Sequence, residues 1–108
     1  MSYYFEDIEE EFGTNPYGLN TAIRNYTLVC TCGACPEQYD VFDQNGNEVG
    51  YIRLRHGRFS VRAAGQEVYS TTDTYGDGCF VDSDERSKYL NIAVKAIEGY
   101  WEINKNSI

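Results

Sequence analysis

The chain has one histidine, His56, and no apolar run long enough to span a bilayer. No nucleophile is placed beside His56, and the zinc-deaminase pattern H-x-E followed by P-C-x-x-C is absent. The first residues have neither the basic n-region nor the apolar h-region of a signal peptide. We therefore expect a protein that is not an enzyme, has no membrane contact and stays in a reducing cytoplasm.

Basic residues are also scarce. Nine Lys and Arg stand against 17 Asp and Glu, which gives a net charge of −8 and a pI near 4.5. An acidic surface of this strength repels the phosphates of nucleic acids and favours basic partners, so we expect no direct nucleic acid binding. The simpler alternative is that the charge keeps a small protein in solution.

The four cysteines are crowded. Cys30, Cys32 and Cys35 form C-x-C-x-x-C, and Cys79 follows far downstream between a glycine and a phenylalanine. A Cys-x-x-Cys turn that contains glycine suits a metal knuckle, and alternation along a strand places Cys30 and Cys32 on one face. The pattern predicts a structural Zn²⁺ held by all four sulfurs. With four protein ligands, such a zinc has no open position for a catalytic water.

Two alternatives to the zinc site stay open. The cysteines are reduced thiols buried in the core, or they form one or two disulfides. A reducing cytoplasm argues against the disulfides.

The N-terminal segment combines an apolar stripe with a run of carboxylates. Tyr4, Ile8 and Phe12 recur at helical spacing, which predicts a short amphipathic helix over residues 3–12. The same segment carries five carboxylates: Glu6, Asp7, Glu9, Glu10 and Glu11. They form a solvated helix face or, in the functional interpretation, an acidic surface that binds a basic partner.

The remaining pattern predicts one α+β domain over residues 1–108. A strand over residues 21–31 leads into the cysteines, and about four strands of an antiparallel meander follow, with a hairpin turn at Asn45-Gly46. A helix opens at Asp82 or Ser83 and runs to about Asn104, with its apolar stripe, including Trp101, packed on the sheet. The predicted fold is thus a meander against a C-terminal helix, with a short N-terminal helix and a four-cysteine zinc site.

Alternation along the predicted strands gathers four of the nine basic residues on the polar face of the sheet: Arg53, Arg55, Arg58 and Arg62. Cross-strand carboxylates neutralise these arginines in one interpretation, with Asp40, Asp43, Glu48 and Glu67 as candidates. In the other, the arginines bind an anion, with Tyr51 available for stacking.

Three stretches carry a resemblance to known proteins. CPEQYDVFD at residues 35–43, GYIRLRHGRF at residues 50–59 and GDGCF at residues 76–80, together with the final helix, resemble a group of small phage and prophage proteins. Small acidic phage proteins of this kind are similar to anti-CRISPR proteins, some of which contain zinc.

The resemblance implies a monomer that acts in the host bacterial cell by occupancy. It binds a type II RNA-guided CRISPR effector nuclease and blocks loading or cleavage of target DNA. The four cysteines are the only residues to which it assigns a role, as metal ligands. Two rival functions remain: a sponge that sequesters an anionic signalling nucleotide in anti-phage defence, and a phage adaptor protein.

Overall fold

The computed structural model of the protein describes residues 21–31 and 35–106, with side chains as far as residue 104. The helix predicted over residues 3–12 and Cys32 lie outside the described residues. The described elements are β1 (Thr21–Ile23), β2 (Tyr26–Cys30), β3 (Glu37–Phe42), β4 (Glu48–Arg55), β5 (Arg58–Ala63), β6 (Gln66–Thr71) and α1 (Ser83–Asn106). None of the helical structure described here is both long and apolar enough to cross a membrane.

The strands form one antiparallel sheet in chain order, with a single helix after it, so the α+β prediction is confirmed. The strand count was wrong, because the sheet has six strands rather than about four. Residues 21–31, predicted as one strand, are the hairpin β1–β2, in which Ile23 pairs with Tyr26. Arg24 adopts a φ of +57° and reverses the chain there, a left-handed conformation that residue type alone does not indicate.

The hairpin predicted at Asn45-Gly46 is present, although its loop is longer than the two residues that an Asn-Gly turn favours. The Asp43 N–H donates to the Asn47 carbonyl, which leaves three residues in the loop, and Gly46 takes the left-handed position at φ +84°. The Asp43 carboxylate also accepts the N–H groups of Asn45 and Asn47, both at 2.9 Å. These bonds are the reason that the loop takes a three-residue form.

Two later hairpins have the two-residue turns in which both central residues have positive φ. They are His56-Gly57, between β4 and β5, and Ala64-Gly65, between β5 and β6. This backbone matches the right-handed twist of the flanking strands. Arg55 and Arg58 are therefore held directly opposite each other at the end of the β4–β5 hairpin.

The helix begins where the sequence predicts. The Asp82 carboxylate accepts the Glu85 N–H at 2.8 Å and so caps the first turn. Residues of one helix face are buried against the sheet: Leu90, Ala93, Val94 and Ile97. The inner face of the sheet supplies the other half of the core: Leu28, Tyr39, Val41, Ile52, Leu54, Phe59 and Val61.

Trp101 was predicted to lie in the core, and that prediction was wrong. Its side chain is 38% exposed near the end of the helix, past the sheet's apolar centre. The indole N–H donates to the Val49 carbonyl at 2.9 Å, which ties the helix to the start of β4. The partial exposure of the ring agrees with the amphipathic character of Trp.

A buried carboxylate joins the sheet, the loop before the helix, and the helix itself. Glu37 is 3% exposed and accepts hydrogen bonds from Arg86 Nε at 2.6 Å, from the Phe80 N–H at 3.1 Å and from the Tyr39 hydroxyl. Burial alone would raise the pKa of Glu37, but these hydrogen bonds outweigh it and hold the pKa below its ordinary value. Burial, and then the Glu37 charge, raise the pKa of Tyr39. Glu37 is therefore ionised, and its carboxylate is occupied by hydrogen bonds that stabilise the fold.

Candidate functional site

The outward surface of β4 and β5 carries the four arginines that the sequence singled out, and we call Arg53, Arg55, Arg58 and Arg62 the arginine face. Side chains of β4 alternate between the core and this face, so Ile52 and Leu54 are buried while Arg55 is exposed. The helix packs on the opposite side of the sheet. The predicted gathering of the arginines on one face is confirmed.

The strand register sets the geometry of this face. Arg53 lies opposite Ser60, and Arg55 lies opposite Arg58. These four residues form a rectangle with sides of about 7 Å along the strands and about 5 Å across them. Arginines occupy three corners of this rectangle, and Ser60, a residue that is 9% exposed, occupies the fourth. A hollow of about 330 Å³ is lined by these residues and by His56.

Neutralisation by cross-strand carboxylates is confirmed for only one of the arginines. Arg58 Nη2 contacts both carboxylate oxygens of Glu67, at 2.8 and 2.9 Å. The Arg58 hydrogen bond lowers the pKa of Glu67, so the carboxylate is ionised and the pair is charged. Arg62 lies directly opposite Glu67, and its charge also lowers the pKa of that carboxylate, but its side chain donates to the Gly65 carbonyl at 3.3 Å.

Within the part of the chain that the structure describes, the side chains of Arg53 and Arg55 have no hydrogen bond or ion pair. The carboxylate of Asp43 is used in the β3–β4 turn, and burial raises the pKa of Asp40. Among the described residues, neither acid forms a salt bridge with the arginine face. Two adjacent guanidinium groups are left with their donors available to a ligand.

Tyr51 extends the arginine face toward the start of β4. It lies opposite Arg62 and two residues before Arg53, on the same side of the sheet. Its hydroxyl donates to the Gln38 side-chain carbonyl at 2.8 Å, which fixes the orientation of the ring. A planar ligand group that contacts this ring would lie beside the unpaired guanidinium groups.

The structure joins two of the predicted zinc ligands directly. Cys35 and Cys79 form a disulfide with a Cα–Cα distance of 5.4 Å, so the predicted meeting of these two distant cysteines is confirmed, as a disulfide rather than as two ligands of one ion. Cys30 is buried at the end of β2. No group of three or more His, Cys, Asp or Glu among residues 21–31 and 35–106 is placed to hold a metal. Because Cys32 lies outside these residues, the four-cysteine zinc site stays a prediction.

Hydrogen bonds next to the disulfide attach the loop before the helix to the start of β3 and to the turn of the arginine face. The Glu37 N–H donates to the Gly78 carbonyl, and the Gly57 N–H donates to the Asp77 carbonyl, both at 2.7 Å. A Cβ on Gly78 would meet the Cβ of Cys35 at 3.0 Å, a tight contact that glycine avoids. The loop is thereby attached to the turn between Arg55 and Arg58.

Sequence reasoning missed the groups that build this loop. Glu85 is 8% exposed, and its carboxylate accepts the N–H groups of Gly76 and Val81 at 3.2 and 2.9 Å. Glu37 was given no role, and the predicted strand began after it. The available signal was its position in phase with Tyr39 and Val41, because a carboxylate on the apolar side of a strand requires a partner.

The acidic N-terminal run cannot be placed beside the arginine face. Glu6, Asp7, Glu9, Glu10 and Glu11 lie outside the described residues. Five of the 17 carboxylates fall within residues 1–20, which contain no Lys or Arg, so residues 21–108 carry a net charge of only −3. The acidity that the composition indicated is concentrated at one end of the chain.

Comparisons of the chain with protein-family models, with curated proteins and with solved structures give no match. The resemblance to phage proteins therefore stays a prediction. Function has to be argued from the charges and contacts of the site.

Proposed function

We propose that this protein acts by binding rather than by catalysis, and that it sequesters an anionic ligand on the arginine face, as a sponge for a signalling nucleotide would in anti-phage defence. The observation that carries this proposal is the pair Arg53 and Arg55, whose side chains have no acceptor among the described residues. Arg58, on the same face, already forms an ion pair with Glu67.

The chemistry of the guanidinium group supports this choice of ligand. Arginine is always charged, offers five donors in a planar fork, and binds phosphate or carboxylate through paired hydrogen bonds. The strand holds the Cα atoms of Arg53 and Arg55 at a fixed spacing, so less backbone ordering opposes binding than on a loop. Tyr51 adds a surface for a planar base.

The direct test measures binding of cyclic mononucleotides and cyclic dinucleotides by native mass spectrometry and titration calorimetry. We expect the unaltered protein to bind at least one of them, and R53A/R55A to bind at least tenfold more weakly because two charge-assisted contacts are removed. The matched control is R24A/K95A, which removes the same charge away from the arginine face. Equal weakening in both variants would show that only net charge matters and would contradict the proposal.

A second candidate is the inhibition of an RNA-guided CRISPR effector nuclease, favoured by the five carboxylates within residues 6–11. Such nucleases hold their heteroduplex in a positively charged channel, which an acidic segment can occupy in competition with DNA. We expect loss of guide-directed cleavage on addition of the protein. Recovery of cleavage with E9K/E10K/E11K, but not with R53A/R55A, would assign inhibition to the acidic segment. Cleavage that is unaffected across several type II nucleases would rule this candidate out.

A further inference from the structure

We infer that the arginine face takes a multiply charged phosphate group, such as the polyphosphate of a nucleotide, rather than a singly charged anion. This inference rests on the proposed function and specifies its ligand. The deciding feature is the pairing of Arg55 directly opposite Arg58, beside Arg53. Three positive charges therefore surround one hollow.

Like charges that face each other across two strands destabilise a hairpin. In the ligand-free protein, Glu67 balances Arg58 but lies on β6, on the far side of Arg58 from Arg55. Because Glu67 already balances Arg58, a singly charged anion would neutralise one of Arg53 and Arg55 and leave the charge of the other uncompensated. A group with two or more negative charges neutralises the cluster and offers enough acceptors for several guanidinium forks.

The fourth corner of the rectangle agrees with a phosphate ligand. Ser60 is the nearly buried floor of the hollow, opposite Arg53 and between Arg58 and Arg62 along β5. Its hydroxyl can donate to a phosphate oxygen without adding charge. The hollow is shallow and its walls are guanidinium groups, which fits a compact charged group better than an apolar one.

Glu67 competes with the ligand inside the protein. It holds both of its oxygens against Arg58 Nη2, at the distances expected for a charge-assisted pair. A bound phosphate has to share Arg58 with this carboxylate and to tolerate its negative charge. Removal of the Glu67 charge should therefore strengthen binding, whereas removal of a carboxylate elsewhere on the sheet should not.

The arrangement also predicts opposite effects on stability and binding. Arg55→Gln removes the repulsion between residues 55 and 58 while keeping a side chain of similar length. We expect R55Q to unfold at a higher temperature than the unaltered protein without ligand, and to bind the ligand at least tenfold more weakly. If Arg55 had only a structural role, R55Q would lower both the unfolding temperature and the affinity for the ligand.

The experiment titrates the full chain with acetate, inorganic phosphate, pyrophosphate and tripolyphosphate at constant ionic strength, by calorimetry. We expect affinity to increase at least tenfold from phosphate to tripolyphosphate, to fall at least tenfold in R55Q, and to increase in E67Q but not in the control E48Q. Nucleoside triphosphate and cyclic dinucleotide form two further arms. If either nucleotide binds more tightly than tripolyphosphate, and Y51A abolishes this difference, a nucleotide is the source of the phosphate.

The outcomes separate the inference from the function on which it rests. Equal affinity for acetate, phosphate and tripolyphosphate would overturn the inference and leave anion sequestration standing. Binding of none of the probes would overturn both. An R55Q protein that unfolds at a lower temperature, with circular dichroism showing a native fold, would contradict the repulsion argument even if its affinity falls.

Discussion

Arg86 and the arginine face show two different uses of the same side chain. Arg86 extends from the helix to Glu37, a carboxylate that is 3% exposed, and contacts both of its oxygens, at 2.6 and 3.2 Å. Arg53 and Arg55 project from a strand without an acceptor in the described part of the chain. Arg86 is therefore committed to folding, while Arg53 and Arg55 are available for a ligand.

Burial of the partner explains this difference. A carboxylate as enclosed as Glu37 requires a counter-charge, so the pair with Arg86 cannot open without a large loss of stability. A surface arginine has water as an alternative partner and contributes little to stability by itself. We therefore expect mutation of Arg86 to reduce stability, and mutation of Arg53 or Arg55 to reduce ligand binding.

Reduction of the disulfide should have the largest effect on stability, because the loop that carries Cys79 contacts both Glu37, the partner of Arg86, and the turn of the arginine face. The Phe80 N–H reaches Glu37, and the Asp77 carbonyl accepts from Gly57 beside the arginine face. The bond closes a sequence separation of 44 residues, for which loop entropy gives about 4 kcal/mol of stability. We expect reductant to lower the free energy of unfolding by about this amount, measured by urea unfolding.

The control for the disulfide is C35S/C79S, whose stability should not change with reductant. Metal content measured on the same samples tests the zinc prediction. One zinc per chain in protein purified under reductant, with stability as high as that of the oxidised form, would mean that the sulfurs act as metal ligands in the cell and that the disulfide is not the resting form.

Arg86→Ala should have the next largest effect. It leaves the Glu37 carboxylate buried without its counter-charge, and we expect a loss of about 3 kcal/mol, near the lower end for buried pairs because the Arg86 side chain is 32% exposed. Arg53→Ala, the matched surface change, should alter stability by less than about 0.5 kcal/mol. If both variants lose the same stability in urea unfolding, the distinction between the two kinds of arginine is wrong.

Acid should weaken the Glu37–Arg86 pair. Because the hydrogen bonds hold the pKa of Glu37 below its ordinary value of 4.5, the pair contributes its full stability above that pH and loses it as the pH falls through the lowered pKa. We expect thermal midpoints between pH 5 and pH 2 to fall more steeply for the unaltered protein than for Glu37→Gln. Parallel pH profiles would show that another carboxylate governs acid unfolding.

The smallest effect on stability should come from the Arg58–Glu67 pair. Both side chains are substantially exposed, at 51% and 35%, and such pairs contribute little to stability. We expect E67Q to leave the thermal midpoint nearly unchanged, and E48Q, at the exposed start of β4, to behave in the same way. A clear loss of stability in E67Q alone would place Arg58 with Arg86 among the folding arginines.

Much of the fold could be predicted because its signals are local. Alternation placed the arginines on one face. The Asp82 cap and the apolar stripe predicted a helix that ends at about Asn104, two residues before its observed end at Asn106. The split of β1 from β2 could not be predicted, since the left-handed φ of Arg24 has no residue-type signal. The partial exposure of Trp101 depends on where the helix passes the edge of the sheet, which periodicity does not specify.

The sequence predicted which residues form the candidate site but not which of their charges form ion pairs. The alternating pattern identified all four arginines, yet it offered four carboxylates as partners. In the structure Glu67 lies opposite Arg62 but forms its ion pair with Arg58. The cysteines were expected to meet, and two of them do. Whether sulfurs meet as thiolates around a metal or as a disulfide depends on distances that spacing along the chain does not fix.

The sequence by itself determined the α+β class, the cationic strand pair within an acidic chain and the concentration of carboxylates before residue 21, because charge and alternation are properties of neighbouring residues. Only the tertiary structure decided which charges are neutralised. Glu37 and Arg86 are 49 positions apart and became a pair, while Arg55 was placed against Arg58. The physical reason is that burial and strand register are set by contacts between distant segments, and these contacts determine whether an arginine stabilises the fold or is left for a ligand.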